Sequence, residues 1–327
     1  KECVSKCLCN CGMKINCLPS LMADSRYYLM RKVVIFGCGW LGQQLGVALA
    51  AAGYQVFGTR QSEQSCALLP ESIHPVVLQL PAVEFPFALV ADAIVIVALP
   101  ASTPNYLAAL RQISDSCAKA SQIFFCSSTG IYAGLTGHLT EAALPLPTAL
   151  SEFAAGSLAT DYAQAIMAAK NPAAPVQLSR VQRLLAAEII MCQLENVVIL
   201  RLAGLIGPGR HPANFIRHGA LAGADLPVNM LHSYDIQRFL ITWLRQPESS
   251  LAVSGVVNLC SPEHPTKQQF YQQACMDAGF KAPVFAIENQ AAAGEMSRTI
   301  DVSRSLTLPG FSYQFVSPIS AIAHCFS

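Results

Sequence analysis

Charge is scarce in this chain of 327 residues: 13% of positions are charged, and 21 Lys and Arg are balanced by 20 Asp and Glu to a net charge of +1. That leaves no basic field for nucleic acid and no polybasic patch for an anionic membrane. Long apolar runs are also missing. The longest, Ala88 to Pro100, is broken by Asp92 and falls short of the roughly 20 residues that cross a bilayer. There is no Gly-x-Ser-x-Gly elbow, no His-Glu-x-x-His and no phosphate-loop lysine, so hydrolase, metalloprotease and P-loop chemistry lack their groups. A small molecule is the partner these absences leave.

What is abundant is buried-core material. With 53% hydrophobic residues, the chain has enough apolar surface for one large α/β domain or a domain with a small lobe. Five of its 13 cysteines, Cys3, Cys7, Cys9, Cys11 and Cys17, crowd the first 17 residues. They show no paired Cys-x2-Cys knuckles and no nearby His, so no metal site is expected. The other eight sit in apolar contexts such as Phe125-Cys126 and Leu259-Cys260, as free thiols do in a reducing cytoplasm. Residues 1–29 hold no apolar core of signal-peptide length, and the fold is expected to begin at Met30 with that extension outside it.

The most informative segment follows directly. Lys32 to Phe36 reads as a strand buried on both faces and runs into Gly37-Cys-Gly-Trp-Leu-Gly42, then into an Ala/Leu-rich helix from Leu41 to Ala52 closed by Gly53. This is the order of a dinucleotide-binding turn. Gly37 permits the tight turn, Gly39 lets backbone approach a pyrophosphate, and Gly42 lets the helix pack close to the sheet; Trp40 and Leu41 lie between them. The phosphates would sit on the free N–H groups of the helix start. The next strand, from Gln55, ends in Gly58-Thr59-Arg60, where an NAD site usually offers a carboxylate to the ribose. Arg60 is suited to pairing with a 2′-phosphate and Thr59 to donating a hydrogen bond, so NADP is the favoured cofactor and NAD the alternative.

Further apolar runs, at Pro75–Leu80, Ala93–Leu99, Gln122–Cys126 and Val197–Leu202, are separated by helical patterns at Asn105–Ala118 and Val181–Leu194. That alternation predicts a doubly wound parallel sheet, in which ligands lie beyond the carboxyl ends of the strands. The segments facing the ligand are therefore 37–42, 59–61, 99–102, 127–132 and 203–211, with Leu99 and Pro100 placed against the cofactor. Residues 30–211 form the expected nucleotide-binding domain. An Ala/Pro-rich insert at about 142–176 carries a short helix, Asp161–Lys170, capped by Thr160, and residues 212–327 form a smaller lobe closing over the cofactor.

Five segments then recur in one order: Gly37–Gly42, Ser127-Ser-Thr-Gly-Ile-Tyr-Ala-Gly134, Arg201-Leu-Ala-Gly-Leu-Ile-Gly-Pro-Gly-Arg-His-Pro212, His232-Ser-Tyr-Asp235 and Val256–Pro265. On these the chain resembles the extended short-chain dehydrogenase/reductases, the NAD-dependent epimerase/dehydratase group, and within it the atypical YeeZ-like members. The resemblance implies a Rossmann-type sheet with a small C-terminal α/β substrate lobe. It also implies hydride transfer at a carbon bearing a hydroxyl or carbonyl, on a small or nucleotide-sugar-like substrate. Family chemistry uses a Ser or Thr after a central strand plus a Tyr and, four residues on, a Lys. With Glu188 as anchor, those last two positions fall on Arg180 and Leu184, so the pair is absent.

The remaining candidates each have two readings. Ser128 is a substrate or nicotinamide contact or a strand cap, and Tyr132 is the surviving phenol for proton transfer or a packing residue. Arg210 and His211, after Gly207-Pro-Gly209, either bind a substrate phosphate or decorate a solvated loop. Asp235 is expected to cap the helix from Ile236. Two functions stay open: an NADP(H)-preferring oxidoreductase or epimerase-like enzyme, and a non-catalytic NADP(H) sensor that has lost the Tyr/Lys pair.

Overall fold

The computed structural model describes residues 31–145, 157–173, 177–216, 221–247, 255–286 and 297–326. The N-terminal extension and its cysteine cluster lie outside the described residues. Eleven strands are present among those described: β1 Lys32–Phe36, β2 Gln55–Arg60, β3 His74–Val77, β4 Ile94–Val97, β5 Gln122–Ser128, β6 Gly137–Leu139, β7 Val197–Leu202, β8 Gly204–Ile206, β9 Met230–His232, β10 Gly255–Leu259 and β11 Arg298–Ile300. The longer helices are α1 Trp40–Ala51, α2 Tyr106–Ser116, α3 Ser157–Lys170, α4 Arg180–Met191, α5 Ser233–Leu244 and α6 Lys267–Asp277.

Seven strands build one sheet in the order β10-β7-β5-β4-β1-β2-β3, every neighbouring pair parallel. Parallel strands covered by helices on both faces must be apolar throughout. The sequence obliges: Val33 to Phe36, Ile94 to Val97 and all six residues of β7 are buried. The expected doubly wound sheet is therefore present. Strand order reverses between β1 and β4, which opens a crevice at their carboxyl ends.

Two sequence expectations change here. The Ala/Pro-rich segment is no external insert over its described part, because α3 packs against α4 and buries Ala165, Ala168 and Ala169. Its helix starts at Ser157, so Thr160 falls within the helix and not before it. The division at residue 211 also fails as a spatial boundary, since α5 packs on α1 and β10 forms the edge of the main sheet. What stands apart is a second core of Ile206, Val228, Phe270, Ala274, Phe315 and Ile322, beside the small β8–β9 pair. This lobe overhangs the crevice.

Candidate functional site

The crevice begins at the glycine turn. Gly37 has φ +80°, and a Cβ there would stand 3.0 Å from the backbone of Ala98. At Gly42 a Cβ would stand 2.8 Å from the Gly37 carbonyl oxygen, so the helix closes on the turn only because the side chain is missing. A Cβ at Gly39 would meet no atom nearer than 3.9 Å, the Gly37 carbonyl oxygen, so this residue leaves an open backbone face toward the cleft. No side chain caps the start of α1, whose first N–H groups and positive dipole end face that opening. Gly42 itself does not line the cleft and acts through packing, whereas Gly37, Gly39, Trp40, Leu41, Leu99 and Pro100 all line it.

The end of β2 clamps the turn. The Gly37 N–H donates to Thr59 Oγ1 at 3.1 Å, and the Cys38 N–H to the Thr59 carbonyl at 3.1 Å. Arg60 lines the cleft beside them, its buried Nε without a hydrogen-bond partner. A guanidinium nitrogen withdrawn from water without an acceptor is costly unless a ligand completes it. Those features, together with a cleft of about 940 Å³, fit a dinucleotide. Two thiols share the cleft wall, but burial pushes Cys38 up to about 11 and Cys126 up to about 12, so neither supplies a thiolate.

Beyond the turn, Trp40 Nε1 donates to the Pro208 carbonyl at 2.8 Å, and the Arg210 guanidinium lies 5.3 Å from the Trp40 ring and 5.4 Å from that of Phe215. Arg210 Nε also donates to the Leu205 carbonyl, so this arginine is held at the cleft wall as a positioned cation. His211 turns the other way. It is buried, its Nδ1 accepts from the Ala213 N–H, and its ring stacks on Phe326 at 4.4 Å. Its expected place in a substrate site is therefore corrected to a cap within the small lobe.

Ser128 ends β5 on the cleft and accepts from the Gly130 N–H at 3.1 Å, which leaves its own O–H free to donate to a ligand. Tyr132 does not join it. The short 3-10 turn Thr129–Tyr132 carries the phenol off the cleft, where it is wholly buried, donates to Asn258 Oδ1 of β10 at 2.9 Å and accepts from Arg201 Nη1 of β7 at 2.8 Å. Burial pushes this phenol up, and Arg201 pulls it only part of the way back. Its expected role as proton donor is thus contradicted: it braces a buried network. In that network Arg201 pairs with Glu188 at 2.8 Å, and Ser127 Oγ donates to Glu188 at 2.5 Å. Asp235 is likewise not a cap; His232 caps α5, while the Asp235 carboxylate accepts from the Gln314 and Phe315 N–H groups.

The two positions expected for the Tyr/Lys pair both reach the cleft. Arg180 lies beside Gly130 and Ser128, and Leu184 lines the wall one turn further along α4. Lys267, Tyr271 and Arg298 close the lobe side of the cleft. None of these three carried a linear signal, because α6 and β11 reach the cleft only through tertiary packing.

No protein-family model matches the chain. The Escherichia coli K12 protein YeeZ is 30% identical over 305 residues, spanning 89% of this chain and 98% of YeeZ. The chain belongs to the YeeZ family. Among solved structures, a functionally unknown conserved protein from Silicibacter pomeroyi DSS is 19% identical, with a TM-score of 0.61 over 89% of this chain and 98% of that one. A UDP-glucuronic acid 4-epimerase from Bacillus cereus, in complex with UDP-glucuronic acid and NAD, is 15% identical, with a TM-score of 0.61 over 90% and 97%. At these identities the likeness is one of fold, and the YeeZ-family sheet is of the Rossmann type that nucleotide-sugar epimerases also use. Among the described residues, no helix is long and apolar enough to cross a membrane.

Proposed function

We propose that this chain is an NADP(H)-binding oxidoreductase or epimerase-like enzyme acting on a small hydroxyl, carbonyl or nucleotide-sugar-like substrate. The observation that carries the reading is Arg60, a guanidinium at the end of β2 with an orphaned buried Nε and no carboxylate among the residues lining the cleft. Arg60 holds the 2′-phosphate, the N–H groups at the start of α1 hold the pyrophosphate, and the Ser128 hydroxyl polarises the substrate oxygen. When bound, a nicotinamide dinucleotide supplies the hydride donor or acceptor. Leu99, Pro100 and Leu184 give the inner cleft an apolar wall that keeps water from the reacting face.

A second reading, a sensor of the NADP(H) state without turnover, is favoured by two observations: the Tyr132 phenol is buried away from the cleft lining, and Leu184 stands in the lysine slot. The two separate by NADPH absorbance in the presence of a broad panel of carbonyl compounds and sugar nucleotides. Oxidation of bound NADPH by any member supports the enzyme, and loss of that oxidation in Ser128→Ala assigns the hydroxyl. Tight NADPH binding with no oxidation across the panel supports the sensor instead.

A further inference from the structure

The cleft carries charge of one sign. Arg60, Arg180, Arg210, Lys267 and Arg298 line it, and no aspartate or glutamate does. Arg210 and Lys267 spend donors on the carbonyls of Leu205 and Ala222. Arg180 makes no hydrogen bond or ion pair among the described residues.

Arg180 has no evident scaffold role. It opens α4, whose dipole already makes that end positive, and no acidic residue in the first turn offsets it. Capping is complete without it, since Ser179 and Gln182 satisfy each other's backbone N–H groups. A cation held unpaired at the positive end of a helix breaks a local rule, and such breaks concentrate at functional sites.

Its surroundings define a notch. The point a Cβ on Gly130 would occupy is 3.2 Å from Ser128 Oγ and 3.5 Å from both Nε and Nη2 of Arg180. The paired donors of the guanidinium edge and the Ser128 hydroxyl thus lie side by side on the cleft wall over Gly130, with no side chain at residue 130 to stand between them and a ligand. Two parallel N–H donors match the two oxygens of a carboxylate. A guanidinium does not release a proton in the accessible pH range, so Arg180 replaces a phenol in position and not in chemistry.

We infer that the Nε/Nη2 edge of Arg180, beside Gly130 and Ser128, binds a carboxylate of the substrate, while the Ser128 hydroxyl keeps the reacting oxygen. The substrate class is then a hydroxy or oxo acid whose carboxylate adjoins the reacting carbon. The inference rests on the nicotinamide reading of the cleft, which is what puts the reacting carbon beside Ser128.

The test uses the full chain saturated with NADP, titrated in a calorimeter with oxamate and with its neutral isostere oxamide. Oxamate should bind at least about tenfold tighter, the worth of one charged hydrogen-bonded pair. Arg180→Gln should remove that preference while leaving NADP affinity and the melting temperature unchanged, because the side chain is exposed and unpaired. Gly130→Ala should weaken oxamate by filling the notch. Equal binding of oxamate and oxamide, or an unchanged preference in Arg180→Gln, overturns the carboxylate assignment. So does inorganic phosphate displacing oxamate at lower concentration than oxamate itself binds. Failure of NADP to bind the wild-type chain overturns the cofactor reading along with it, whereas NADP binding with indifferent oxamate overturns the notch alone.

Discussion

Replacing Tyr132 by phenylalanine separates a bracing role from a catalytic one. The substitution removes a single oxygen that accepts from Arg201 Nη1 at 2.8 Å and donates to Asn258 Oδ1 at 2.9 Å, all three residues being wholly buried. Arg201 keeps its bonds to Glu188 and the Leu144 carbonyl, so the cost is one orphaned charged donor and one orphaned amide oxygen. A hydrogen bond to a charged group contributes about 1.5–3 kcal/mol and a neutral one about 0.5–1.5 kcal/mol, which sets the loss at about 2–4.5 kcal/mol. That is a large share of the roughly 5–15 kcal/mol by which a folded domain is stable. Urea unfolding should show a lower midpoint at unchanged slope, and calorimetry on the folded variant should show unchanged NADP affinity. An unfolding free energy within about 0.5 kcal/mol of wild type, with any NADPH turnover reduced about tenfold or more, would refute the reasoning and return the phenol to the site.

Three further outcomes follow from the same structure. Glu188→Gln keeps the shape but leaves Arg201 buried without its counter-ion, and it should cost about 3–5 kcal/mol in urea unfolding; a loss below about 1 kcal/mol would mean the pair is solvated. Arg60→Ala should weaken NADP about 10–100-fold and leave NAD little changed, since only the 2′-phosphate loses a partner; equal losses for both dinucleotides would place Arg60 elsewhere. Burial lowers the folded-state pKa of His211, His232 and His264, so above about pH 7.5, a unit over the ordinary imidazole value, these groups are neutral in both states and contribute nothing to the pH dependence. Below that value the unfolded chain takes up protons that the folded chain refuses. Stability should therefore fall between about pH 7 and pH 5.5, and an unchanged urea midpoint across that range would show these histidines charging freely in the folded protein.

The strands were legible because a parallel sheet writes its burial in one dimension: Val33 to Phe36 and Ile94 to Val97 can be nothing but doubly covered. The glycine turn was legible for a similar reason, since close backbone approach at Gly37 and Gly42 demands one residue type. Misreadings arose where a neighbour in space decides. The Ala/Pro-rich composition around α3 reads as an insert carrying a short helix, yet Ala165, Ala168 and Ala169 of that helix are buried where it packs against α4. Tyr132 follows Ser128 closely in sequence, but one tight turn carries its phenol off the cleft and into the buried bonds to Arg201 and Asn258. Asp235 stands near a helix start, yet the cap falls three residues earlier on His232. Arg180 could be placed by counting back from Glu188, but its openness to a ligand required knowing that Gly130 and Ser128 lie beside it.

Calorimetric titration of the full chain with NADP and, separately, with NAD tests the central claim most directly. The account predicts one site and an NADP affinity about 10–100-fold above that for NAD, the margin Arg60 supplies on the 2′-phosphate. Equal or stronger binding of NAD would contradict the role given to Arg60, and binding of neither would contradict the cofactor site itself.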